Sequence, residues 1–104
     1  MSVVVVATIT PKPGEHEAVK AAFLETIPLV HAEDGCELYA LTEREDRFVM
    51  VEQWSSPEAL AVHSRGEALQ ALGPKIAGRT EGPADVVVLT AVPAGDPAKG
   101  VVRP

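Results

Sequence analysis

Asparagine is absent from this chain, cysteine occurs once, and the aromatic residues number four: one Trp, one Tyr and two Phe. A single cysteine, Cys36, excludes an internal disulfide and any cysteine-based metal cluster. It follows Gly35 at a predicted strand start, where a small buried residue is expected rather than a reactive thiol. With so few aromatics, the core has to be assembled from Val, Leu, Ala and Ile. Basic clusters are missing as well: no two Lys or Arg are adjacent, and the formal net charge is −6. A nucleic-acid partner needs a basic stripe to neutralise phosphates, so that class is excluded, and anionic membranes with it. The opening Val run is four residues long, too short for a signal peptide or a membrane-spanning helix. A cytoplasmic protein is the expectation.

What is present suffices for one domain. The chain has 104 residues, 46% of them hydrophobic, which leaves no room for a second core. "VVVVATIT" (Val3 to Thr10) is apolar on both faces and reads as a central strand. After "PKPG", Val19, Ala22, Phe23, Ile27 and Val30 fall on one helical stripe, and Pro28 should kink or end that helix near Thr26 or Ile27. "EDG" (Glu33 to Gly35) stops it. Cys36 to Thr42 then alternates, with Cys36, Leu38 and Ala40 on one face and Glu37, Tyr39 and Leu41 on the other. "EREDR" is a solvated hairpin turn leading into a strand from Arg47 to Trp54. Ser55 or Ser56 caps the next helix, with Pro57 in its first turn. A second helical piece from Glu67 should break at Gly73–Pro74, and a polar connector leads to the last strand, "VVVLTAV".

The order is strand, helix, strand, strand, helix pair, strand, which is the split βαβ arrangement of a ferredoxin-like α+β protomer. Residues 1–92 form the domain, and the Pro/Gly-rich segment 93–104 is a tail expected to be unpacked or swapped. The first and last strands are Val-rich on both faces. The sheet's second face therefore wants cover, and a two-fold homodimer supplies it.

Several kinds of site are ruled out by spacing. There is no Gly-rich phosphate loop and no Gly-x-Ser-x-Gly elbow. His16, His31 and His63 lie on separate segments without metal-ligand spacing. His16 is expected to be exposed in a first helical turn, and His31 to sit at a helix end. The strand before the Ser cap is more informative. Period-two alternation puts Phe48, Met50, Glu52 and Trp54 on one face. A carboxylate between Met and Trp must find a donor such as an Arg, reach water, or hold a raised pKa. On the following helix Leu60 and His63 share a face, so His63 and Trp54 could line one cavity or could both be core residues. Spacing leaves that open.

The segments "GCELYAL", "FVMVEQW" and "SSPEALAVH", with the opening "VVVVATITPKPGEHEAVKAAF", resemble the antibiotic biosynthesis monooxygenase domain family over residues 3 to 92. The small quinol monooxygenases within it are the nearest match. The resemblance implies a homodimer whose sheets pack into an α/β barrel, and oxidation of a quinol or related phenolic aromatic by O2 without a cofactor. It matches Trp54 to the family's pocket tryptophan, His63 to its helix histidine, Tyr39 to a strand tyrosine and Glu52 to the acid before the tryptophan.

On that reading His63, Trp54 and Tyr39 are the catalytic candidates. His63 would be the base, because an imidazole ordinarily titrates near neutrality. Trp54 would stack on or wall the ring, and Tyr39 would donate to a developing oxyanion. Glu52, Met50, Phe48, Phe23, Leu60 and Thr8 would shape the substrate site. Family members that oxidise polyketide anthrones or degrade haem use a pocket asparagine, which this chain lacks; Thr8 is at most a partial substitute. A non-redox isomerase of a small hydroxyketone and a non-catalytic ligand-binding dimer are the alternatives.

Overall fold

The computed structural model describes all 104 residues. Its elements are β1 (Val3–Ile9), α1 (His16–His31), β2 (Cys36–Arg44), β3 (Arg47–Trp54), α2 (Pro57–Ser64), α3 (Glu67–Ile76) and β4 (Asp85–Leu89). They form one antiparallel sheet in the order β2-β3-β1-β4, the ferredoxin-like arrangement. No helix is long and apolar enough to cross a membrane.

The helices cover one face of this sheet. Strand alternation sends Val5, Ala7 and Ile9 of β1 and Phe48, Met50, Glu52 and Trp54 of β3 towards them, and all seven are buried. The stripe of α1 (Val19, Ala22, Phe23 and Val30) completes the core, with Ala68 and Leu72 of α3. Ser56 caps α2 by accepting the Ala59 N–H at 3.1 Å, and Pro57 occupies its first position, where a missing N–H costs nothing.

Three expectations about the elements change. Pro28 neither ends nor interrupts α1, and α3 runs on through Pro74 to Ile76. Each proline withdraws one N–H from the carbonyl four residues earlier, on Leu24 and Gln70. Both of those residues are exposed, so water can satisfy the freed oxygens. The alternation of β2 fails at its start, where a register shift between Cys36 and Leu38 inserts one extra residue. Cys36 then pairs with Trp54 and packs against the helix-side core, the face that Tyr39 and Leu41 also occupy. A bulge of this kind reverses every residue before it. The tail is not free either. It folds back over the far face of the sheet, where Gln53 Nε2 donates to the Arg103 carbonyl at 3.1 Å and to Glu37 Oε1 at 2.9 Å.

Gly35 fixes the joint between α1 and β2. Its φ of +82° is strained for any side chain, and a Cβ there would lie 2.6 Å from Ala59 Cβ and 2.7 Å from Ser55 Oγ. The Ser55 N–H donates to the Gly35 carbonyl at 2.8 Å. This close approach brings the loop after α1 against the start of α2.

Candidate functional site

A cavity of about 290 Å³ lies between the helices and the sheet, bounded by β1, β3, α1 and α3 and reaching the edge at β4. Apolar side chains dominate its wall, among them Val5, Ala7, Phe23, Met50, Leu69 and Leu72. Tyr39, Glu52 and His63 break that surface together, with Ser64 next to His63 in the chain. An apolar enclosure with a few convergent polar groups is the usual form of a small-molecule site. A cavity of about 150 Å³ already accepts benzene, so this one suits an aromatic of one or two rings.

The polar groups hold one another in place. His63, at the end of α2, is only 4% exposed, and its ring stacks on Trp54 with centroids 4.3 Å apart and an interplanar angle of 29°. Tyr39 meets the same ring edge-on at 5.5 Å. Trp54 Nε1 donates to Glu52 Oε1 at 2.9 Å, and the same oxygen lies 3.9 Å from His63 Nε2. His63 Nδ1 is 2.9 Å from Glu33 Oε1, on the loop that Gly35 presses against α2.

Burial pushes the Glu52 carboxyl above the usual carboxylate range, with the Trp54 N–H and the nearby His63 opposing the shift. Burial also raises the Tyr39 phenol well above its ordinary value, reinforced by the charges of Glu52 and Glu33. Tyr39 therefore stays a hydrogen-bond donor at neutral pH. Cys36 is raised by burial and then by Glu33 and Glu52, which keeps it a thiol rather than a nucleophilic thiolate.

The fold brings together His63, Tyr39, Glu52, Met50 and Phe23 on the cavity wall. Trp54, fully buried, stands one layer behind, against His63, and touches Glu52 rather than the open space. Phe48 and Leu60 belong to the surrounding core, Phe48 between Phe23 and His16. Thr8 is separated from the site. Period two sends Val5, Ala7 and Ile9 inward and Thr8 to the opposite face, beside Thr10 and Asp85. No residue of β1 thus fills the place of the missing asparagine with a polar group.

Of the other two histidines, one differs from expectation. His16 is not a solvated surface residue: it stacks on Phe48 at 4.3 Å and contacts Glu43 Oε1 at 3.0 Å. His31 does sit at the helix end, where Nε2 donates to the Tyr39 carbonyl at 2.9 Å and ties α1 to β2. The expected Arg partner of Glu52 is replaced by the Trp54 N–H. Glu33 was legible only as part of a stop signal. Its neighbour Gly35 was the available clue, because a glycine held at positive φ often marks a close approach of backbones.

Comparison with known proteins follows the same lines. The family model described as "Antibiotic biosynthesis monooxygenase" matches residues 2–74. Probable quinol monooxygenase YgiN of Escherichia coli (strain K12) is 31% identical, the match spanning 71% of this chain and 84% of that protein. Among solved structures, Rv0793 from Mycobacterium tuberculosis superposes with a TM-score of 0.83 at 26% identity, covering 92% of this chain and 100% of its own. PA3566 from Pseudomonas aeruginosa gives 0.79 at 28% identity, covering 88% and 94%.

Proposed function

The chain belongs to the antibiotic biosynthesis monooxygenase family, and we propose that it is a cofactor-independent monooxygenase oxidising a quinol or related phenolic aromatic with O2. The observation that carries this reading is that His63 and Glu52, both nearly dry, stand 3.9 Å apart on the wall of a predominantly apolar, aromatic-sized cavity. Direct reaction of O2 with a neutral organic molecule is slow because the spins do not match. A phenolate overcomes this by giving up one electron at a time.

The site's task is therefore to make and hold the anion. His63 Nε2 takes the phenolic proton: the O–H bond breaks, the N–H bond forms, and the electron pair stays on oxygen. The Tyr39 hydroxyl, which makes no hydrogen bond within the protein, donates to the oxyanion. One electron passes to O2, superoxide and the aryloxyl radical combine at a ring carbon, and the His63 imidazolium returns its proton to the peroxide so formed, giving a hydroperoxide. Loss of the ring C–H proton and cleavage of the O–O bond release water and leave one oxygen on the ring. For a simple quinol the balance is quinol plus O2 giving hydroxyquinone plus water, with four electrons moved. Glu52, whose carboxyl lies 3.9 Å from His63 Nε2, is placed to pass the ring C–H proton to the departing oxygen. Trp54 keeps Glu52 and His63 in register.

The active form is a homodimer. On β4, Val86, Val87, Val88 and Leu89 are 45–55% exposed on both faces of an unpaired edge, an arrangement that invites a second chain. Val86 and Ala84 also border the cavity, so a second copy laid against β4 would close its mouth. The test is oxygen uptake by chelator-treated protein across a panel of quinols and hydroxynaphthols. Uptake above the buffer rate, lost in His63→Ala, supports the reading. Turnover that persists without oxygen would instead identify a non-redox isomerase, and binding without turnover a ligand carrier.

A further inference from the structure

Glu33 lies outside the cavity wall, yet it makes the shortest polar contact to His63. The ring has four neighbours: Trp54 on its face, Tyr39 at its edge, Glu52 Oε1 3.9 Å from Nε2 and Glu33 Oε1 2.9 Å from Nδ1. An ionised carboxylate only accepts, so the Glu33 contact requires a proton on Nδ1. Neutral His63 is then bare at Nε2, the nitrogen nearer Glu52. Glu33 is not a loose surface partner. Its Oε2 is buried without any hydrogen-bond partner, and its backbone is pinned by Glu33 N–H to the Val30 carbonyl and Cys36 N–H to its own carbonyl. Gly35, wedged against Ala59 and Ser55, sets the distance from this loop to α2.

We propose that Glu33 is a positioning residue for His63, holding the Nδ1–H tautomer and stabilising the imidazolium that forms when Nε2 takes the substrate's proton. The inference rests on the reading of His63 as the base, although its first half stands without it. The proton moves from the substrate oxygen to Nε2. Nδ1–H stays in place, Glu33 stays ionised, and no electron is transferred in this step. The titratable groups around the ring are Glu33 from the α1–β2 loop, Glu52 from β3 and Tyr39 from β2, with Cys36 behind them; α3 contributes only uncharged residues to the cavity wall, Leu69, Leu72, Gly73 and Ile76. Glu33 is thus the one carboxylate on the Nδ1 side.

Two measurements on the full-length chain test this. The first needs no substrate: nitrogen NMR of the His63 ring, assigned by comparison with His63→Gln. Wild type is expected in the Nδ1–H form, and Glu33→Gln as a mixture of tautomers, because an amide can present either oxygen or N–H₂ to the ring. The second is the pH dependence of kcat/KM on whichever panel substrate is turned over. Glu33→Gln should lower kcat by about 10- to 100-fold, a part of what a general base contributes, and move the acid limb to lower pH, since a negative charge that favours the cation is gone. Glu33→Asp, which keeps the charge, should move the limb back towards wild type.

A merely structural glutamate would lower stability and rate evenly, leaving tautomer and limb unchanged; that result overturns the proposal. So does an Nε2–H tautomer in wild type. If the tautomer depends on Glu33 but no substrate is oxidised, the catalytic half of the proposal falls together with the monooxygenase reading, and the positioning half is upheld.

Discussion

Replacing Glu52 with Gln should make the protein more stable at neutral pH and remove a specific pH dependence. Glu52 is only 5% exposed, and its direct hydrogen-bond partner is the neutral Trp54 N–H, at 2.9 Å. The nearest cation-forming group, His63 Nε2, is 3.9 Å away, beyond hydrogen-bond distance. Burial therefore outweighs its partners and raises its pKa. A raised native pKa means the folded state holds its proton to higher pH than the unfolded chain does. Stability from this group is fully present below the unfolded value and is lost as pH rises through the folded one.

Each unit of elevation corresponds to about 1.4 kcal/mol, which in a domain near this size moves Tm by about 4–8 °C per kcal/mol. Gln preserves the shape and can still accept from Trp54 while carrying no titration. The stability difference between Glu52→Gln and wild type should thus be small below the ordinary carboxylate range, grow with pH, and then level off. Urea unfolding read by fluorescence suits the purpose, because Trp54 is the sole tryptophan and fully buried. Parallel pH curves for the two proteins, or a wild type that gains on the variant as pH rises, would refute the reasoning.

Three further outcomes are expected. Gly35→Ala combines a left-handed backbone penalty of about 1–2 kcal/mol with overpacking of about 1–3 kcal/mol against Ala59 and Ser55. Denaturant midpoints should register a loss of about 2–5 kcal/mol. Tyr39→Phe should leave the melting midpoint almost unchanged, since the hydroxyl has no partner within the protein, while kcat falls by about 10²-fold. Val87→Lys on the exposed β4 edge should convert a dimer to a monomer in light scattering, with little loss of helix signal; a wild type that is monomeric at all concentrations would contradict the dimer.

The fold was legible because its signals are periodic. Alternation through Phe48, Met50, Glu52 and Trp54 places all four on the buried face, and the stripe on α1 gives four of its five buried residues, with Ile27 only half-buried and Thr26 buried in addition. What failed was local and set by tertiary contacts. Pro28 and Pro74 are tolerated at points where the residues four earlier, Leu24 and Gln70, are exposed. The bulge at the start of β2 depends on pairing Cys36 with Trp54, which no single-strand pattern encodes. The site was half legible for the same reason. Strand and helix spacing allowed Glu52 and His63 to meet, whereas Glu33 reaches His63 across 30 residues through a loop whose approach only Gly35 betrays. Thr8 is the one polar residue within β1, but the period of two turns it to the face opposite the cavity, beside Thr10 and Asp85.

In the proposed reaction this cavity inserts one atom of O2 into a phenolic ring. Turnover of an accepted quinol under isotopically labelled O2, with product and water analysed by mass spectrometry and corrected for carbonyl exchange, tests it directly. One labelled oxygen is expected in the product and the other in water, with loss of both in His63→Ala. An unlabelled quinone formed with stoichiometric hydrogen peroxide would contradict it.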